Sequence, residues 1–404
     1  MTTRGRTLAA LSVSMLLFGR LGGMRELIMA GAAFALVLAA GFVLVWVRGG
    51  RVGAQRKLDP AKTLVGGGVR VELSVEANGH LGLGPLLLAD RIPRVLGQSP
   101  RVALSGSAQR RSRSVAYQLT PRMRGRHTIG PLELTLTDPF GAVRRRREVP
   151  GSSSLLVLPS YEDITTLPTG VQRVGIVRNS PLVGQGDEFY ALRAYEEGDD
   201  LRKIHWPTSL RTDQLVIRQE ELLAEPRALI VLDTTAAKHR GRGPTSSLEA
   251  AVSACAAIGV LAVRRRMRIE VVTPDGPILN QRAPSVDQFL QALAVVEPSE
   301  RPSLAKSLEH TASQRPGRPA LLVVISPGLR RDELRAVAAR ARGSAAGAIV
   351  LIDTQSFDAR PAERMRRPPI GDLALLALPI VRLRAGDSFR HVWHTGIKGV
   401  SLAR

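Results

Sequence analysis

The stretch "ALIVLDTTAAK", Ala228 to Lys238, decides the fold. Five apolar residues follow one another without alternation and then meet an Asp. A half-exposed strand alternates polar and apolar residues, whereas an unbroken run suits a strand covered on both faces, as in a parallel sheet. The same pattern returns in "IEVV" from Ile269, "ALLVVI" from Ala320 and "AIVLI" from Ala348. Helices are expected between these runs. Ser246 with Glu249 makes a capping box before "LEAAVSACAAIGVLAV", Ser285 with Gln288 makes another before "FLQALAVV", and "RRDELRAVAARARG" ends in Gly343. Alternating strands and helices predict a doubly wound α/β domain over residues 226–404.

In such a sheet ligands gather at the carboxyl ends of the strands. That rule selects Asp233, Ser326 and Asp353, each directly after an apolar run. The competing reading of a strand-end Asp is a loop residue capping nearby backbone amides. The chain has no GxxxxGK[ST] loop, HExxH helix, GxSxG elbow or GxGxxG after a strand.

Upstream the periodicity changes to two. In "VRVELSVE", Val69, Val71, Leu73 and Val75 alternate with Arg70, Glu72, Ser74 and Glu76. Val115, Tyr117 and Leu119, then Leu132, Leu134 and Leu136, repeat the pattern. A small antiparallel β-sandwich is therefore expected over residues 51–160, with 161–225 as a connector.

The first 50 residues form a third kind of segment. "LIMAGAAFALVLAAGFVLVWV", Leu27 to Val47, carries no charge, and its length as a helix is about 31 Å, enough for a bilayer core. "TLAALSVSMLLFG", Thr7 to Gly19, precedes it closely, with no small-residue cleavage site between, so a transmembrane helical hairpin over residues 1–50 is expected. Arg4 and Arg6 before the first span, and Arg48, Arg51, Arg56 and Lys57 after the second, place both ends in the cytoplasm of a two-pass inner-membrane protein.

Composition narrows the partners. Lys and Arg number 57 against 35 Asp and Glu, a net charge of +22, which suits nucleic acid or an anionic membrane surface. The basic runs at Arg110–Arg113 and Arg144–Arg147 lack the aromatic platforms of RNA binders, so they read as solvated loops or contacts to membrane lipids rather than to nucleic acid. With one cysteine, Cys255, no intrachain disulfide can form.

One block concentrates polar chemistry: "RAYEEGDDLRKIHW", Arg193 to Trp206. An enzyme would use Asp199, Asp200 and His205 as acid, base or ligands, but no nucleophile or oxyanion donor stands nearby. An architectural block would have Asp199 or Asp200 cap a short helix through Leu201, Ile204 and Trp206, with Arg193 and Arg202 pairing carboxylates and Trp206 buried. A docking surface would instead present Trp206 and Arg202 as anchors.

The segments "RGRHTIGPLELTLTDPFG", Arg124 to Gly141, and "GDEFYALRAYEEGDDLRKIHWPTSLRTDQLVIRQEE", Gly186 to Glu221, after two apolar spans, resemble the bacterial family called domain of unknown function 58. The matching positions are Arg193, Tyr195, Gly198, Asp199, Asp200, Arg202, Trp206 and Arg211. The resemblance implies a von Willebrand factor A-like carboxy-terminal domain and association rather than catalysis. It implies a membrane adaptor working with a MoxR-type AAA+ ATPase, often beside a transglutaminase-like membrane protein, in assembly or maturation of membrane and envelope complexes. The alternative from the residues alone is a membrane-bound hydrolase using the strand-end acids. A-like domains often hold Mg²⁺ through an Asp-x-Ser-x-Ser loop with a distant Thr and Asp. Here Asp233 and Thr235 match, but Ala237 and Pro327 stand at ligand positions, so no tight metal site or other cofactor is expected.

Overall fold

The computed structural model describes residues 1–47, 52–77, 86–104, 112–168, 190–196, 200–212, 214–220, 226–314, 318–342, 344–358, 373 and 376–398. It is a mixed α/β protein with two compact units. One comprises Met1–Ser160 with Leu290–Glu297, and the other Tyr161–Phe289 with Pro298–Arg404.

The first unit starts with α1 (Thr3–Leu21) and α2 (Arg25–Val47). Thr2 caps α1, its hydroxyl accepting from Gly5 N–H at 3.1 Å. The two helices touch closely where side chains are small: Ser12 Oγ donates to Gly31 O at 2.7 Å. A Cβ at Gly19 would crowd Ile28, and one at Gly31 would crowd Leu16. Among the described residues two helices are long and apolar enough to cross a membrane, Arg25–Trp46 and Ser247–Arg264. The second is mostly buried within its own unit.

Three sheets follow in this unit. β1 (Val52–Asp59), β3 (Val69–Ala77) and β6 (Ser112–Leu119) form an antiparallel sheet in the order β1-β3-β6. β2 (Lys62–Leu64), β10 (Ser153–Leu158) and β7 (Gly125–Ile129) form a second, and β5 (Arg101–Leu104), β4 (Leu86–Asp90), β8 (Leu132–Thr137) and β9 (Arg144–Val149) a third. The period-two pattern does what the pleat demands. Val69, Val71, Leu73 and Val75 are buried, as are Leu132, Leu134 and Leu136. Pairing is antiparallel except between β2 and β10, which run parallel.

A polar triad, with the Arg56 and Asp90 side chains buried and Tyr117 half-buried, ties the sheets together. The Arg56 guanidinium on β1 forks onto the Asp90 carboxylate at the end of β4, with contacts of 2.5 and 3.0 Å. Tyr117 on β6 donates its hydroxyl to the same carboxylate at 2.5 Å. Arg56 Nη1 also donates to Ile129 O at 3.0 Å.

The second unit holds a two-stranded ribbon and a six-stranded sheet. β11 (Tyr190–Ala194) pairs antiparallel with β12 (Val216–Glu220), and α3 (Trp206–Thr212) lies between them in sequence. The sheet contains β13 (Arg227–Leu232), β14 (Arg268–Thr273), β15 (Gly276–Gln281), β16 (Leu321–Ser326), β17 (Ala346–Ile352) and β18 (Ile380–Leu383). Their order is β15-β14-β13-β16-β17-β18. All pairs are parallel except β14 with β15, which makes an antiparallel edge. The four apolar runs are β13, β14, β16 and β17, the inner strands; β14 departs from the pattern, since Glu270 interrupts it and is itself buried. Chain order reverses between β13 and β16, so the crevice of this doubly wound order opens beyond the carboxyl ends of those two strands.

The remaining helices among the described residues are α4 (Ser247–Arg264), α5 (Val286–Ala294), whose second half belongs to the first unit, α6 (Ala305–Gln314), α7 (Arg331–Ala341) and α8 (Phe389–Lys398). Ser246 caps α4 through Glu249 N–H at 3.3 Å, and Ser285 and Gln288 make the reciprocal box before α5. Gly343, the expected stop of α7, lies outside the described residues; the last helical residue is Ala341. α8 buries Trp393 completely, with its indole N–H donating to Thr166 O at 2.9 Å. Glu162 caps α8 by accepting from Ser388 Oγ, Phe389 N–H and Arg390 N–H. Burial works against its charge, but those bonds outweigh it and hold the carboxyl below its ordinary range.

Gly259 on α4 faces the ring of Phe289, where a Cβ would overlap ring carbons. In an open helix Gly→Ala gains about 1 kcal/mol. Here Gly259→Ala is expected to lose about 1–3 kcal/mol instead, because the fully buried ring cannot give way freely. Urea unfolding monitored by circular dichroism measures the sign.

Candidate functional site

The crevice beyond β13 and β16 is filled by this chain's own charges. Asp233 follows β13 directly, and its backbone N–H donates to Ile325 O at 2.9 Å, continuing the parallel ladder by one step. That register leaves its carboxylate at the mouth of the sheet. Oδ1 accepts from Thr235 N–H at 3.1 Å, and Oδ2 lies 2.7 Å from the Ser326 hydroxyl at the end of β16. Five residues after Asp233, a short 3₁₀ turn over Ala236–Lys238 brings Lys238 Nζ back to Oδ2 at 2.8 Å.

The second acid arrives from α7. Glu333 stands in the helix's first turn and accepts from Arg330 N–H at 2.7 Å, as an acidic residue at that position does. It also accepts from Leu304 N–H at 3.1 Å and from Lys238 Nζ at 2.8 Å on both oxygens. Gly328 O, 3.2 Å away, completes the ammonium's partners. The Asp233 and Glu333 side chains are wholly buried and that of Lys238 is 16% exposed. Two buried carboxylates thus share one nearly buried ammonium, whose three N–H donors are all engaged.

His239 closes the inner side. Nε2 lies 2.7 Å from Asp233 O, which can only accept, so the proton sits on Nε2 and Nδ1 faces the Ser247 hydroxyl at 3.0 Å. Burial is the largest influence on the imidazole and holds its pKa below the ordinary value despite the Asp233 contacts. The ring is a neutral spacer. The hydroxyls of Thr234 and Thr235 are buried without a hydrogen-bond partner among the described residues.

Of the strand-end residues selected from sequence, Asp233 and Ser326 meet, while Asp353 pairs with Arg384 at 3.4 Å after β17. Thr235 enters through its backbone alone. The residues a Mg²⁺ site would need do not fit the ion: the Lys238 ammonium occupies the position between the two carboxylates. Among the described residues no group of three or more His, Cys, Asp or Glu side chains could hold a metal. Sequence reasoning missed Lys238 and Glu333. Lys238 was the last residue of the deciding stretch, and Glu333 stood in the first turn of a recognisable helix, but nothing local connects positions 95 apart.

The polar block forms a second feature. Arg193 lies in β11 opposite Ile217, and Tyr195 N–H donates to Leu215 O at 2.8 Å. Gly198 and Asp199 lie outside the described residues. Asp200 is the cap, its Oδ1 accepting from Arg202 N–H at 3.0 Å before the 3₁₀ turn Leu201–Lys203. Ile204 bridges Ile217, and both are buried. His205 N–H donates to Val216 O at 2.8 Å, its Nδ1 accepts from Thr208 N–H, and the Ser209 hydroxyl accepts from Val216 N–H at 2.9 Å. His205 and Ser209 therefore pin α3 onto β12.

The outer face differs from the architectural expectation, which had Trp206 buried. Trp206 is 58% exposed, Leu210 81% and Leu201 60%. Trp206 and Leu210 stand one turn apart on the same side of α3. Asp200, Arg202 and Arg211 are exposed around them. Polar bonds point inward and apolar side chains point out because the backbone of α3 needs the former, while nothing in its own amphipathic pattern covers the latter.

Fold and sites thus define a doubly wound α/β domain with a crevice closed by its own buried ion cluster and a hydrogen-bonded platform carrying exposed apolar side chains. Residues 191–360 match the family model described as Protein of unknown function DUF58, a range that takes in both features. No curated protein matches the chain. Solved structures give faint likenesses. The CARDB domain of the PF1109 protein from Pyrococcus furiosus is 17% identical over 26% of this chain and 92% of that one, with a TM-score of 0.19. The Pseudomonas fluorescens alkylpurine DNA glycosylase AlkC is 13% identical over 38% and 45%, at 0.17. A beta-glucosidase from Listeria innocua is 14% identical over 25% and 16%, at 0.14. Scores this low carry no argument about fold or activity.

Proposed function

We propose that this chain is a membrane-anchored adaptor that faces the cytosol. Its α1–α2 pair is a two-pass inner-membrane hairpin, and its α/β domain is von Willebrand factor A-like. It works with a MoxR-type AAA+ ATPase, beside a transglutaminase-like membrane protein, in assembly or maturation of membrane or envelope complexes. The observation that carries the reading is the α3 platform: a tryptophan and a leucine displayed on a hydrogen-bonded base, ringed by charge, within the range similar to the family. Exposed aromatic anchors with an arginine rim are the usual currency of protein interfaces. The apolar α2 and the basic residues flanking the helices support the membrane anchor and its orientation. The strand order, with its antiparallel edge, and the strand-end Asp233 support the A-like assignment. The Lys238 ammonium makes such a domain independent of a divalent ion. The acids a hydrolase would use already have fixed partners, Lys238 for Asp233 and Glu333 and Arg384 for Asp353.

The test uses full-length protein extracted in detergent and a purified MoxR-type ATPase. Trp206→Ala and Arg202→Ala change exposed side chains, so each is expected to unfold within about 0.5 kcal/mol of wild type. Capture of the ATPase is expected to fall at least about tenfold for Trp206→Ala, as for a hot-spot residue. Undiminished capture by both stable variants would sink the docking role. Orientation requires an introduced thiol, since Cys255 is fully buried. A cysteine at exposed position 210 is expected to resist impermeant reagents in cells stripped of outer barriers.

A further inference from the structure

The β-unit and the carboxy-terminal end of α2 overlap along the helix axis. Leu38 and Val45 pack into the core formed by Leu73, Leu134 and Val143, and a Cβ at Gly41 would lie 3.1 Å from Asp138 Oδ2. From Leu38 to Val45 the helix advances about 10 Å. At the same level Phe42 and Val43 are each more than half exposed, and Trp46, 59% exposed, lies beside the β-unit under Arg145 of β9. The stretch that carries the β-unit on one face is therefore apolar and uncovered on the other. If α2 crosses a bilayer, lipid must cover that face, and the edge of the β-unit must sit at the same depth.

The turn at that edge is built for such a place. Asp138, itself buried, accepts from Phe140 N–H at 3.1 Å and Val143 N–H at 2.6 Å, while Gly141 N–H donates to Asp138 O. The carbonyls of Gly141 and Ala142 accept from the Thr2 hydroxyl and the Thr2 N–H. These polar groups of the turn find partners within the protein, the condition for irregular backbone at membrane depth. At its tip Phe140 is 53% exposed. β9 then leaves the turn with Arg144 and Arg146 exposed, and Arg145 lies over the Trp46 ring at 4.8 Å. Aromatic rings beside guanidinium groups are what a headgroup layer accommodates.

We infer that the Asp138–Val143 turn is a lipid-embedded element. Phe140 enters the acyl boundary beside α2, and Arg144 and Arg146 contact the phosphates of anionic phospholipid. This rests on the membrane-hairpin reading, and the experiment separates the two. Full-length protein carrying Cys255→Ser and one new cysteine, at Phe140, Leu36 or Thr128, is labelled with an environment-sensitive fluorophore. It is reconstituted in nanodiscs with or without bromine on the acyl chains. Leu36 is an exposed site on α2 and Thr128 an exposed site on β7. Quenching at 140 is expected to reach at least about half of that at 36, with none at 128. Changing phosphatidylcholine to phosphatidylglycerol should deepen it, and Arg144→Gln with Arg146→Gln should remove that increment. Quenching at 36 without quenching at 140 leaves the hairpin standing and overturns the embedded turn. No quenching at either position overturns both. Loss of the phosphatidylglycerol increment in the wild-type arginine background overturns the phosphate contact.

Discussion

Replacing Lys238 by Met is expected to lower stability by about 3–5 kcal/mol, the cost of removing one member of a buried charge cluster. The substitution keeps the stem and deletes the ammonium, so packing changes little. Asp233 and Glu333, both with side chains fully shielded, would then face each other without a cation. Two like charges in a desolvated site repel each other once no cation lies between them. The double change Asp233→Asn with Glu333→Gln, added to Lys238→Met, should recover part of the loss, because neutral amides can keep several of the backbone bonds. Thermal unfolding reads this as a fall of about 6–20 °C for Lys238→Met in a domain of this size. In wild type, Mg²⁺ or Mn²⁺ at millimolar concentration is expected to leave the melting temperature unmoved, because the cation position is taken. A loss below about 1 kcal/mol in Lys238→Met would mean that water reaches the carboxylates easily.

What the sequence made legible follows from how far each signal reaches. Strand and helix identity are local, and the period-two burial of Val69 to Val75 and the capping pairs at Ser246 and Ser285 appear where the pattern placed them. β15 and β18 escaped the reading, since "GPILNQ" and "IVRL" mix polar and apolar residues, as strands at the two edges of a sheet do. The strand-end rule reached Asp233 and Ser326, yet the partner that defines the crevice comes from a residue outside that rule. Lys238 looks like a surface lysine because lysine is almost never buried, and only the fold brings Glu333 to it. Trp206 shows a different limit. A tryptophan among charges reads as a core anchor or as a docking anchor, and its exposure depends on which face of a seven-residue helix the Ser209 and His205 bonds turn inward.

The Arg56–Asp90–Tyr117 triad should be as costly to break as the crevice cluster, and it offers a different pH signature. Arg56→Ala is expected to lose about 3–5 kcal/mol, since among the described residues the Asp90 carboxylate, fully shielded, would keep only the Tyr117 hydroxyl as a side-chain partner. Arg56→Lys should not rescue it, because a single ammonium cannot reproduce the fork onto both oxygens and the bond to Ile129 O. Tyr117→Phe should cost less, about 1.5–3 kcal/mol, the worth of a bond to a charged acceptor. Burial first, then the Asp90 bond and charge, push the Tyr117 phenol far above its usual range. The folded protein therefore keeps this proton where the unfolded chain releases it. Tyr117's contribution is fully present below about pH 10, the unfolded value, and declines as pH rises beyond it. Urea unfolding between neutral and strongly alkaline pH should show that decline in wild type and a shallower one in Tyr117→Phe. Equal alkaline slopes in the two proteins would show that Tyr117 ionises as freely in the folded chain as in the unfolded one, and the triad would then lack the dry environment assigned to it.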